Sequence, residues 1–399
     1  MFGEITLTLA GGFVTYYVQE FLNKLRDFIE LPEKVINNYN NIEKEQMNQL
    51  VSIITPSYNC GKYIHRLLDS VLSQTYQNIE MFVIDDGSTD NSKEIIEKYI
   101  EKFEKTGKKL KYIYQENKGA PCAINTGLKY IDGKYFVWPD ADDWYATDDA
   151  IEQLVYTFEN SPDNVGFVRG LQYIIDEKNF KVIGTNGGKR KEYPDNLFDS
   201  CIDMIDSKKY FWFPPGAYMI KTEHLFCNYP DKDIFYLGIN ENYGGGQNLP
   251  LLIPSLYKYK SITIKKFIYN ILSRKDSVSR KKRSYDWFIN RRYVFLENIL
   301  KNTILSLKEM PSDVKEIYIK NVSIIFNILR FLKAFQYKQK NDCSIYYNKI
   351  LSEDKGKAKK YKFKYILSQN YLGFVVFFVD LLKRAIKFLK RKIYIYENY

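Results

Sequence analysis

Three carboxylates crowd one short stretch, Pro139-Asp140-Ala141-Asp142-Asp143-Trp144, directly after the apolar aromatic run Tyr135-Phe136-Val137-Trp138. That run reads as a buried strand, which puts the acids at a strand end. Like charges this close disfavour one another's ionised form, so either a solvated loop or a bound cation must accommodate them. An Asp-x-Asp pair suits a hard cation, Mg²⁺ or Mn²⁺, which prefers carboxylate oxygens and shares its shell with substrate phosphates. The same residues also suit an acidic turn capping a helix that starts near Asp148. On these residues alone both readings stand.

The elements that must position the acids form a regular alternation. Val51-Ser52-Ile53-Ile54-Thr55 is a β-branched run, cut by Pro56, and Pro56-Ser57-Tyr58-Asn59-Cys60-Gly61 is a turn or loop. A helix follows, with Ile64, Leu67, Leu68, Val71 and Leu72 on one stripe. Ile79–Ile84 is a second strand running into Asp85-Asp86-Gly87-Ser88-Thr89-Asp90, and another helix starts near Ser92. Leu110–Tyr114 is a third strand, and Asn117-Lys118-Gly119 opens a third helix carrying Ala123, Ile124, Gly127 and Leu128. The strand before Asp140 completes the series. Such alternation predicts a mostly parallel α/β sheet. Ligands of these sheets bind beyond the carboxyl ends of the strands. Ser57, Tyr58, Asn59, Asp85, Asp86, Asn117, Lys118, Asp140, Asp142 and Asp143 all follow strands and should converge on one cleft. Neither a P-loop nor a Gly-x-Gly-x-x-Gly fingerprint occurs, so P-loop and dinucleotide chemistry are not indicated.

Composition narrows the partners. The 399 residues, 45% hydrophobic, suffice for a sizeable core, and a net charge of +11 favours anionic partners such as nucleotides or an acidic membrane face. Five scattered cysteines without Cys-x-x-Cys spacing argue against a disulfide framework or zinc site and fit a reducing compartment. His65 and His224 are the only histidines; His65 reads as a surface residue. Phe2-Gly3-Glu4 is not a basic leader, and no uncharged run reaches the ~20 residues of a spanning helix. The expected location is therefore cytoplasmic, with peripheral contact to the cytoplasmic membrane face. Basic clusters without interleaved recognition motifs, beside an Asp-lined cleft, speak against nucleic acid.

Residues 1–49 read as a helical extension ended at Pro32. After a helix from Ala150, Val165–Val168 and Leu171–Ile175 read as strands and Gly184–Lys191 as a loop. Residues 281–399 read as mostly helical, with Tyr318, Val322, Ile325, Ile328 and Leu329 on one stripe and Lys355–Lys364 as a basic linker. In the tail, Leu382, Ile386, Leu389 and Ile393 face one way and Lys383, Lys387, Lys390 and Arg391 the other. Such a basic amphipathic helix suits either an anionic membrane interface or packing on the protein's own core.

The motifs Val51–Asn59, Val83–Asp90, Asn117-Lys118-Gly119, Ala123–Leu128 and Asp140–Asp143, in this order, resemble the family 2 glycosyltransferases. The likeness is strong from about Val51 to Asp149 and weaker to about Ser279. It implies a GT-A type, Rossmann-like mixed, mostly parallel sheet flanked by helices, with a helical N-terminal extension and a helical C-terminal region. It implies a nucleotide-sugar donor, with residues 50–149 as the donor-binding half, 150–280 as the acceptor-binding half and 281–399 as a helical region. By the same resemblance Pro56, Tyr58, Asn59, Asp86, Asn117, Lys118, Asp140 and Arg274 bind nucleotide. Tyr58 would stack on the base and Asp86 read uracil, which points to a UDP-sugar; Asp142 would ligate Mg²⁺ or Mn²⁺. Phe213–Ile220 resembles the strand below the acceptor, a saccharide or lipid-linked hydroxyl. Relatives often carry Gly-Glu-Asp, with Asp as general base, where Gly246-Gln247-Asn248 stands here, although a similar branch has Gly-Gly-Gln-Asn. An amide cannot accept that proton. Glu241 is the nearest carboxylate and Asp231, Asp233 and Asp143 are further candidates, so the catalytic residues are expected to be Glu241 and Asn248. The expected activity is inverting sugar transfer in surface polysaccharide or glycolipid synthesis; the alternative is a sugar-nucleotide-binding protein without catalysis.

Overall fold

A computed structural model of the protein describes residues 48–188, 190–203, 211–212, 214–234, 246–274 and 282–369. The predicted N-terminal helix, Glu241 and the basic tail helix lie outside them.

The β-branched run forms β1 (Val51–Ser57), which continues through Pro56; β2 is Ile79–Asp86 and β3 Lys109–Gln115. β4 is only Tyr135–Val137, and Trp138 lies beyond its end. β1 pairs in parallel with β2 and β4, and β2 with β3. β1 and β2 are buried along nearly their whole length. Helices α1 (Ile64–Leu72), α2 (Ser92–Lys105) and α3 (Ala120–Leu128) connect these strands and bury their apolar stripes. α3 lies close on β1: a Cβ on Gly127 would stand 2.6 Å from Ile54 Cγ2, so only glycine permits this approach.

The sheet continues in mixed sense. β5 (Trp144–Tyr145) is followed by α4 (Ala150–Glu159), β6 (Val165–Asp176) and β7 (Val182–Asn186). The two strands expected at 165–175 are thus one, irregular in register around Gly170. The loop expected at Gly184–Lys191 begins later, since Gly184–Asn186 pair with β6. α5 (Phe198–Ile202), β8 (Tyr218–Lys221), α6 (Thr222–Asn228), α7 (Asn248–Leu256) and β9 (Lys260–Ser273) complete the sheet region. Strand order is β3-β2-β1-β4-β8-β6-β9-β5, with β7 also on β6. β6 and β9 run parallel, while β8 is antiparallel to β4 and β6 and β5 to β9. β1 therefore has sequence-adjacent β2 on one side and β4 on the other. That reversal opens a crevice beyond the carboxyl ends of β1 and β4, where Tyr58 and Asp140 stand.

Among the described residues, two compact units separate, one of residues 48–274 with 302–309 and one of residues 282–301 with 310–369. The second is helical: a π-helical turn (Trp287–Arg292) leads into α8 (Tyr293–Ser306), which extends into the first unit's residues. Then come α9 (Ser312–Gln336), α10 (Lys340–Glu353) and α11 (Lys355–Gln369). In α9, Val322, Ile325 and Ile328 are buried as their spacing predicts. Lys355–Lys364 is not a linker but most of α11, where Ala358 and Tyr361 are buried and Tyr365 stacks on Tyr347 at 4.1 Å. Lysine is a good helix former once one face packs. No helix among the described residues is long and apolar enough to cross a membrane.

Candidate active site

The loop after β1 and the loop after β2 are fastened to each other. Asn59 sits at a φ of +51°, a left-handed conformation that asparagine tolerates. Its Oδ1 accepts from the backbone N–H of Thr89 (2.8 Å) and Asp90 (3.3 Å), and its own N–H donates to Ser88 Oγ (2.9 Å). The Gly61 N–H donates to Asp90 Oδ2 at 2.9 Å. Asn59 thus braces the crevice and leaves the adjacent Tyr58 ring 51% exposed, available to a flat partner. Asp85, 2% exposed, ties its own loop by accepting from Ser88 N–H and Tyr112 O–H, both at 2.8 Å.

Asp86 holds the loop after β3. Its Oδ1 accepts from Gln115 Nε2 (2.7 Å) and the Lys118 N–H (2.8 Å), and its Oδ2 from the Gly119 N–H (2.8 Å). Gly87, at a φ of +78°, has no side chain to obstruct this loop: a Cβ there would lie 2.8 Å from the Asn117 nitrogen. The motifs around Asp86 and Asn117-Lys118-Gly119 are therefore one structural unit, with the Asn117 and Lys118 side chains exposed above it.

The aspartate cluster sits on the other side of the crevice. Arg274, at the end of β9, places Nε 2.9 Å from Asp142 Oδ2, and its guanidinium lies 4.6 Å from the Tyr63 ring centroid. Burial pushes the Asp140 carboxyl up to about 7, the Asp142 charge adds to the rise, and Arg274 opposes it. Asp143 is pushed well above the carboxylate range by burial, then by Asp142 and Asp140; the Leu272 N–H, donating to its Oδ1 at 2.8 Å, opposes the rise. Asp143 thus fastens β9 and is withdrawn from the crevice. Cys60, two residues beyond Tyr58, carries a thiol pushed up to about 11 by burial, and Asp142, Arg274 and Asp90 all act on it. Through Arg274, which contacts both Tyr63 and Asp142, the loop after β1 and the aspartate cluster adjoin one another.

Among the described residues no group of three or more His, Cys, Asp or Glu side chains forms a metal cage. Mg²⁺ and Mn²⁺ do not need one: one or two carboxylates plus substrate phosphates make their usual shell. Asp142, with oxygen donors that already draw a cation in Arg274, fits that role.

Asn248, the first residue of α7, accepts at Oδ1 from the Trp138 indole N–H at 2.8 Å. Indole is donor-only, so the amide orientation follows from chemistry: oxygen toward Trp138, NH₂ away from it. Asn125 of α3 donates to the Asp233 carboxylate and accepts from the Ile234 N–H at 2.8 Å. It thereby anchors the chain just before residues 235–245. The sequence reading missed this clamp, Trp138 and Tyr63; a polar residue among the apolar positions of α3 was the one signal available for Asn125. His65 is half-buried on α1.

A strand order with its reversal at β1, loops after β1 to β3 gathered at one sheet edge and an Asp-x-Asp after β4 define a GT-A type fold. Solved structures agree on the fold: Staphylococcus aureus TarS, residues 1–349, covers 80% of this chain and 89% of its own at 17% identity with a TM-score of 0.52. The same TarS fragment in complex with UDP-GlcNAc gives 16% identity and a TM-score of 0.53 with equal coverage. Residues 52–214 match the family described as Glycosyl transferase family 2. An uncharacterized glycosyltransferase of Rickettsia prowazekii is 40% identical over 130 residues, 32% of this chain and 38% of that protein. Glycosyltransferase GlyA of Streptococcus pneumoniae is 43% identical over 98 residues, 25% of this chain and 14% of GlyA. An uncharacterized Nostoc glycosyltransferase is 34% identical over 169 residues, 42% of this chain and 49% of that protein. The chain thus spans less than half the length of each of these curated relatives.

Proposed function

We propose that the chain is an inverting, metal-dependent glycosyltransferase that moves a sugar from a UDP-sugar to an acceptor hydroxyl. The observation that carries this is that, beyond the ends of β1 and β4 in a chain matching family 2 over residues 52–214, Arg274 joins Asp142 of the Asp-x-Asp to Tyr63 near the exposed Tyr58 ring. Residues 50–149 then serve donor binding and 150–280 the acceptor. Tyr58 stacks on the base, Asp86 and its braced loop face the uracil edge, and Asp140 lies by the ribose or sugar. A divalent cation at Asp142 would neutralise charge on the departing diphosphate. Arg274 pairs with phosphate through its planar fork. The acceptor oxygen attacks the anomeric carbon as the bond to the diphosphate breaks on the opposite face. The diphosphate leaves with the electron pair, and a base takes the hydroxyl proton. Hydrolysis of UDP-sugars that requires Mn²⁺, with UDP raising the melting temperature, is the expected result. Nucleotide binding with no turnover of any donor, even with acceptor extracts, would favour the non-catalytic reading that Asn248 invites.

Glu241 is assigned as the base, and Asn248 as a donor to the acceptor oxygen. Asp233 is held by Asn125 and Asp143 is buried under β9, so neither presents a free carboxylate. Glu241→Gln should lower turnover by about 10²–10⁴-fold at unchanged donor affinity. Asn248→Asp should keep the Trp138 contact, because a carboxylate accepts that N–H, but should lower turnover with the fold intact, because the NH₂ that donates to the acceptor oxygen is lost. Full activity in Glu241→Gln removes Glu241 from the mechanism.

The acceptor is assigned to a surface polysaccharide or glycolipid, made at the cytoplasmic membrane face. Six basic residues lie between Lys383 and Lys392, in the sequence beyond α11. Each basic residue near an anionic bilayer contributes about 1 kcal/mol. Ending the chain after Gln369 keeps α11 whole and should release the protein from anionic liposomes while sparing turnover of a soluble acceptor. Liposome binding indifferent to truncation or to salt would count against the tail as anchor.

A further inference from the structure

We propose that Arg274 is the protein's own counter-ion at the Asp-x-Asp pair, competing with the divalent cation for Asp142. This rests on the metal-dependent reading above and adds a coupling that reading does not contain.

The guanidinium is held from two directions. Nε stands 2.9 Å from Asp142 Oδ2, and both side chains are about four-fifths buried, with relative exposures of 17% and 20%. The group also lies over the Tyr63 ring at 4.6 Å. Tyr63 is itself a firm platform: it is 6% exposed and its hydroxyl donates to Glu177 Oε1 at 2.8 Å. Arg274 therefore rests in a made seat on the carboxylate that a metal would use. A cation bound to the same oxygen would bring two positive charges within a few ångströms in a poorly hydrated place, where they repel strongly. The metal must displace the guanidinium. Once displaced, the guanidinium has a partner of matching geometry in a diphosphate, which arginine grips through two parallel hydrogen bonds. Exchange of carboxylate for phosphate by one side chain links metal entry to donor entry. It keeps the acids neutralised before either arrives.

The test is Mn²⁺ binding itself, read by calorimetry or electron paramagnetic resonance on full-length protein without donor. Arg274→Gln should bind Mn²⁺ at least fivefold more tightly than the wild type. Arg274→Lys, which keeps the charge, should stay within about twofold of the wild type. Unchanged or weaker binding in Arg274→Gln, with Mn²⁺ still held by the wild type, overturns the competition and leaves the metal reading intact. Equal tightening in the Gln and Lys variants also overturns it, since loss of the stacked group rather than of charge would then be responsible. No Mn²⁺ binding in any of the three proteins, with or without UDP, removes the metal reading and this inference together. Circular dichroism melts on the same samples confirm that the variants are folded.

Discussion

Asp142→Ala is expected to lower metal-dependent donor turnover by about 10³-fold or more while the protein still melts cooperatively. The charge stabilisation that a divalent ion gives a leaving diphosphate is worth several kcal/mol, and each 1.36 kcal/mol is about tenfold in rate. The fold should survive because Asp142 is partly exposed and pairs with Arg274 at the end of β9, whereas the neighbouring Asp143 is buried and accepts the Leu272 N–H that fastens β9. Asp143→Ala should show the reverse pattern, a lowered melting temperature before any specific loss of metal response. The measurement is turnover against Mn²⁺ concentration for both variants, beside thermal melts. Near-normal turnover in Asp142→Ala, or indifference of the wild type to a chelator, would refute the metal assignment.

Asp86→Ala should cost both stability and nucleotide preference. The carboxylate accepts three hydrogen bonds, two of them from the backbone N–H groups of Lys118 and Gly119, at a position 3% exposed. Hydrogen bonds to a charged group contribute about 1.5–3 kcal/mol each, and their loss leaves donors unpaired. A loss of about 3–5 kcal/mol follows, on the order of 10 °C in melting temperature for a domain of this size. In the wild type UDP should protect more than GDP, CDP or ADP; in the variant that order should vanish. An unchanged melting temperature would show that Asp86 does not hold the loop. Equal protection of the wild type by all four nucleotides would count against uracil reading. Asp86→Asn separates the two roles in part, because one oxygen remains as acceptor while the amide nitrogen faces an N–H donor.

The sequence by itself determined the β1–β4 half of the sheet. The apolar runs at Val51, Ile79 and Tyr135, β-branched or aromatic, had to be buried strands, and the apolar stripes between them had to be covering helices. Because the alternation forces parallel pairing, every polar residue after a strand had to reach the same edge of the sheet. Tyr58, Asp86 and Asp142 could therefore be placed before any coordinates. Periodicity reports burial, and burial along β1 and β2 is nearly complete.

The tertiary structure decided what periodicity cannot carry. β9 is a 14-residue strand broken in sequence by Lys265 and Lys266, and its half-exposed pattern hides it. Yet it delivers Arg274 to Asp142 and the Leu272 N–H to Asp143. Asn248 meets Trp138 across 110 residues, and Asn125 meets Asp233 across 108. No local pattern encodes such partners, because they depend on where the chain returns after crossing the sheet. The same holds for the role of Asp86. Its sequence motif marks a loop end, but only the fold shows that Lys118 and Gly119 take both of its oxygens. Hydrogen-bond partners in a folded chain are set by three-dimensional proximity, whereas sequence spacing fixes only which side of a strand or helix a residue occupies.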